Sequence, residues 1–152
     1  MENQSFSSQL DKTTGTAVRP KPLPIGDYPA IVTKLEMGLK SKQKGTPFVR
    51  FTLQLTGWPD SVPEDERTNE GHPIDLTKKT FNYDLYTTDE AMFRVDEFLV
   101  ACGVELGQGT YREQLQSCIG QHVVASVTQY MPQTQGGAAA EPRNEVRQVR
   151  TA

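Results

Sequence analysis

A chain of 152 residues has room for one domain with tails. Hydrophobic residues make up 36% and mean hydropathy is -0.56, so a small core with long polar connections is expected, and no apolar run approaches the roughly 18–20 residues of a membrane-spanning helix. The net charge of -3 and pI near 5.4 run against the basic balance usual in DNA-binding domains, yet the charge is segregated: +5 over 19–50 and -5 over 60–75.

Residues 1–22 are rich in Ser, Thr and Gln and then in alternate prolines, and read as a flexible arm with a stiff lead-in. The opening MENQSFSSQL has neither a basic start nor an apolar stretch. No signal peptide is therefore expected, the predicted location is cytoplasmic, and Cys102 and Cys118 are expected as reduced core residues rather than a disulfide. A single domain is predicted over 23–152. Its first strand runs from Asp27 to Leu35, with Pro29 marking an edge or bulge near the start. A turn over Lys40–Pro47 leads to a second strand, in which Val49, Phe51, Leu53 and Leu55 alternate with Phe48, Arg50, Thr52 and Gln54.

An acidic loop over 57–77 separates this strand from a third, Lys79 to Tyr86. Thr87 to Glu90 fits a capping box, and Met92, Val95, Phe98, Leu99 and Cys102 follow on one face of a helix ended by Gly103. A helical turn is expected over Tyr111–Cys118 and a fourth strand over His122–Tyr130. A Gly/Ala loop over 132–142 then precedes a short fifth strand, Asn144–Arg150. Three strands, a helix and two strands is the order of an OB-fold-like five-stranded Greek-key barrel, so the fold class is mostly β.

The chemistry that can be read from spacing is mostly negative. Neither His72 nor His122 lies beside a Cys, and the carboxylates of the acidic loop lack calcium-loop spacing, so no metal is expected. No nucleophile elbow, P-loop or dinucleotide fingerprint occurs; neither an enzyme nor a cofactor is expected. The basic segment is the positive signal. Lys34, Lys40, Lys42 and Lys44 lead into Phe48 and Arg50 on the polar face of the second strand, and the third strand adds Lys78, Lys79, Tyr83 and Tyr86. A cationic groove with aromatic faces is what single-stranded nucleic acid requires. Arg143, Arg147 and Arg150 extend the positive surface. Lysines in a turn also serve solubility and block strand pairing, and Tyr83 shares a face with Phe81 and Leu85.

Four segments carry a resemblance: Leu23-Pro24-Ile25-Gly26-Asp27-Tyr28, Ser41-Lys42-Gln43-Lys44-Gly45-Thr46-Pro47, the helix Phe93–Leu99 running to Ala101-Cys102-Gly103, and Ile119-Gly120-Gln121-His122-Val123 with Arg143-Asn144-Glu145-Val146-Arg147. Over roughly 23–150 the chain resembles a family of small phage-encoded proteins that accompany replication and recombination genes, some of whose relatives look like OB-fold single-stranded-DNA-binding proteins. The resemblance implies a protein that coats single-stranded DNA in the bacterial host without sequence preference. The residues expected to carry this are Lys40, Lys42, Lys44, Phe48, Arg50, Lys79, Tyr83, Tyr86 and Arg147. RNA would suit the same chemistry, and self-association stays open. The chain ends Val149-Arg150-Thr151-Ala152, so recruitment through an acidic tail is not expected. The rival expectation is a non-enzymatic phage structural protein, associated with the virion and its proteins, or a protein-interaction module.

Overall fold

The computed structural model describes residues 21–131 and 142–152. Most of the expected arm over 1–22 and nearly all of the Gly/Ala loop over 132–142 lie outside them. In chain order the strands are β1 (Gly26–Lys40), β2 (Pro47–Leu55), the two-residue β3 (Thr68–Asn69) and β4 (His72–Pro73), β5 (Thr80–Tyr86), β6 (His122–Tyr130) and β7 (Arg143–Thr151). The helices α1 (Met92–Ala101) and α2 (Tyr111–Ser117) fall between β5 and β6.

Five strands form one antiparallel sheet in the order β5-β2-β1-β6-β7. Three consecutive strands with the next one returning beside the first make a Greek key. The expected barrel does not close. β5 and β7 approach each other but make no ladder, and α1 packs across the seam against both.

Alternation explains the buried face. Val49, Phe51, Leu53 and Leu55 of β2 are buried, as are Tyr28, Ala30 and Val32 of β1 and Val123, Ala125 and Val127 of β6. Helix α1 lays Val95, Phe98, Leu99 and Ala101 onto that face. Phe98 stacks on Phe51 at 4.3 Å and on Tyr83 at 5.6 Å, so one ring joins the sheet centre to its β5 edge. Cys102 and Cys118 are free and buried, and contact between the two thiols together with burial pushes the Cys102 pKa up. Among the described residues no helix is long and apolar enough to cross a membrane.

Three local expectations are revised. β1 runs on to Lys40, through register irregularities between Val32 and Lys34 and between Glu36 and Leu39, the second containing Gly38 at φ 79°. Pro29 lies in a central strand, but β2 has already ended opposite Ala30, so its missing N–H interrupts nothing on that side. No capping box forms at Thr87: a 3-10 turn over Asp89–Ala91 precedes α1, and Thr88 makes no side-chain cap. A side-chain cap forms at α2 instead, where the Thr110 hydroxyl accepts from the Glu113 N–H and donates to its carboxylate, both at 3.2 Å.

The acidic loop over 57–77 is built, not merely solvated. Val62 and Leu76 are buried, and Trp58 packs on Tyr28 at 5.8 Å. Arg67, the loop's one arginine, lies 5.7 Å over Trp58 and donates to the Val62 and Pro59 carbonyls. Glu70 and Gly71, both at positive φ, turn β3 back into β4.

Candidate nucleic-acid interface

The outer face of the sheet is set by the residues that alternate with the core. At the end nearest the β1–β2 turn, Phe48 pairs with Tyr86 across β2 and β5, ring centroids 6.0 Å apart and edge to face. The next cross-strand pair is Arg50 with Asp84. Arg50 donates from Nε and Nη2 to the two carboxylate oxygens at 2.8 and 3.1 Å, and its guanidinium stands 5.5 Å over the Phe48 ring. This bidentate carboxylate bond holds the Arg50 pKa above its ordinary value. Arg50 therefore brings a planar surface but no net charge to the patch.

The turn beside these rings is tightly made. Ser41 N–H donates to the Thr46 carbonyl at 2.9 Å, Gly45 N–H to the Ser41 carbonyl at 3.0 Å, and Thr46 N–H to the Ser41 hydroxyl at 2.9 Å. Gly45 sits at φ 64°, which a residue without Cβ adopts freely. Lys40 closes β1, and Lys42 and Lys44 ride on the turn. All three are exposed, and among the described residues no ion pair engages them. Lys34, by contrast, is 3.3 Å from Glu36. The net positive charge of this end comes from the three turn lysines.

The expected site residues thus fall into three places. Phe48, Arg50 and Tyr86 share one end of the outer face, with Lys42 and Lys44 on the adjoining turn, while Lys40 pairs with Pro47 at the end of β1, one position off that face. Tyr83 points to the opposite face, half-buried against Phe98; burial raises its phenol pKa. Tyr83 and Arg147 meet at the open seam between β5 and β7. Lys79 lies at the other end of β5, lining a hollow with Lys21, His72, Ile74 and Lys78. Its backbone is used structurally: its carbonyl accepts from the Leu55 N–H at 3.2 Å and from the Gln54 amide at 3.3 Å.

Sequence reasoning missed the polar clamp that seats the lead-in segment. Leu23 is buried, its N–H donates to Asn144 Oδ1 at 2.7 Å, and its carbonyl accepts from Gln129 Nε2 at 2.8 Å and Asn144 Nδ2 at 2.9 Å. Nothing in composition marks Asn144 for this, because Leu23 lies 121 residues away. No family model matches this chain, and the search of curated proteins gives no match.

Proposed function

We propose that this protein binds single-stranded DNA through the outer face of β2 and β5 and the β1–β2 turn, without reading sequence. The observation that carries the proposal is one juxtaposition. The half-buried Phe48 and the exposed Tyr86 pair beside three turn lysines that no ion pair engages among the described residues. Aromatic faces stack bases of any kind, and lysines near them take the backbone phosphates as point charges. The Greek-key order with an open seam supports an OB-type sheet, whose second and third long strands and first hairpin loop are a usual place for oligonucleotides. The phage setting and a role in replication or recombination follow from the sequence resemblance alone.

Charge sets the expected strength. Arg50 is neutralised by Asp84 and Lys79 lies elsewhere, so Lys40, Lys42 and Lys44 are the phosphate contacts. Three contacts on a single strand give a slope of log affinity against log salt of about -2. The test is fluorescence anisotropy of the full chain with labelled poly-dT of about 30 nucleotides, longer than one binding site, beside a duplex control. Salt-sensitive binding of the single strand alone is expected. Absence of binding at low salt, or affinity indifferent to salt, overturns the proposal and favours a protein-interaction module.

A further inference from the structure

The open seam carries chemistry that the hairpin face does not use. A cleft of about 260 Å³ there is lined by Tyr83 of β5, Phe93, Arg94, Glu97 and Phe98 of α1, and Arg147 of β7. Phe98 is buried and Tyr83 stacks on it, while Phe93 stands 57% exposed. The Arg94 guanidinium lies 5.8 Å over the Phe93 ring. Among the described residues no ion pair engages Arg94, Glu97 or Arg147. Two guanidiniums against one carboxylate leave the cleft positive in a protein whose net charge is -3.

Backbone geometry puts Arg147 there. In the β6–β7 ladder Ser126 pairs with Gln148 and Val127 pairs with Val146, so Arg147 is an extra residue at a bulge. A bulge re-aims the side chain it carries, and bulges recur beside functional sites. The one irregularity of this ladder thus presents an unpaired arginine to the gap that β5 and β7 leave open. Guanidinium forks match phosphate oxygens bidentately, and an exposed ring offers a face to a planar base.

We infer that the seam cleft binds one nucleotide unit, its phosphate held by Arg94 and Arg147 and its base laid against Phe93, at a site separate from the hairpin face. The inference deepens the proposed function and rests on it for the strand, but a free mononucleotide tests it alone. Amide chemical shifts of the full chain are followed while thymidine 5′-monophosphate is added, with thymidine and inorganic phosphate as separate arms. Shifts are expected around Tyr83, Phe93, Arg94 and Arg147, stronger for the nucleotide than for either fragment. Loss of a charge-assisted bond makes Arg147→Ala bind roughly tenfold or more weakly. Arg147→Lys, which keeps the charge but not the fork, is expected to recover only part. Because Arg147 is exposed and makes no hydrogen bond among the described residues, its truncation leaves the fold intact, as the unchanged remainder of the spectrum will report.

Shifts confined to residues 41–48 and Tyr86, or an Arg147→Ala titration identical to that of the natural chain, overturn the inference. An equal response to phosphate alone reduces the site to an anion site and also overturns it. Failure here with intact poly-dT binding leaves the proposed function standing. Failure of poly-dT binding with a responsive cleft removes that function and keeps the cleft.

Discussion

Phe48 and Phe98 are both phenylalanines within one residue of β2's core or its facing helix, yet they stand for opposite roles. Phe48 is half-buried on the outer face, touching Tyr86 and Arg50, whereas Phe98 is 2% exposed between Phe51 and Tyr83. Removing Phe98 opens a cavity, so Phe98→Ala should cost about 3–5 kcal/mol of stability, read as a shifted urea midpoint. Phe48→Ala should leave most of that stability and weaken poly-dT binding by about 1–3 kcal/mol. Unfolding by Phe48→Ala would place its ring among the structural contacts and remove it from the interface. Two periods separate these residues in the sequence: alternation in β2 puts Phe48 on the face of Arg50, Thr52 and Gln54, and helical spacing puts Phe98 with Met92, Val95 and Leu99. Alternation did not show that Asp84 neutralises Arg50, since a cross-strand partner depends on register, and register is set by turns not visible in either strand.

The elements show where local signals suffice and where they compete. β2, β6 and the apolar stripe of α1 were legible because each carries an unbroken period that matches one buried face. β1 was read as ending near Leu35 because its two irregularities break the period while the ladder to β2 continues to Lys40 and Pro47. Two Thr-x-x-Glu motifs compete for the capping role, at Thr87–Glu90 and Thr110–Glu113, and only the second forms. At the first, Thr87 is instead held by the sheet, its N–H donating to the Pro47 carbonyl at 3.0 Å, so its backbone is committed before a helix can start. Thr110→Ala should therefore cost about 1 kcal/mol, and Thr87→Ala should lose no cap. Equal urea midpoints for Thr110→Ala and the natural chain would show that α2 does not depend on its cap. The bulge that holds Arg147 was hidden for the same reason as the end of β1. Val146 and Val149 both turn inward across three residues, and a two-residue period cannot describe them.

The open sheet is held together on its outer face as well as by its core. Asp27 of β1 accepts from the Ser126 hydroxyl of β6 at 2.7 Å and from the Arg150 guanidinium of β7, so one carboxylate ties three strands. The bond from Ser126, then that from Arg150, lowers the Asp27 pKa below its ordinary value of 3.8. A carboxylate whose pKa is lower folded than unfolded contributes stability that is fully present above the unfolded value. That contribution is lost as pH falls through the folded one. Both partners are about half exposed, at 49% and 51%, so screening keeps the ion pair at roughly 1 kcal/mol or less. Asp27→Asn removes the charge and keeps an oxygen for Ser126. Urea midpoints should then separate the two proteins near neutral pH and converge as the pH falls from about 4 through the lowered Asp27 pKa. A gap that persists unchanged in acid would show that the carboxylate charge is not what separates the two proteins.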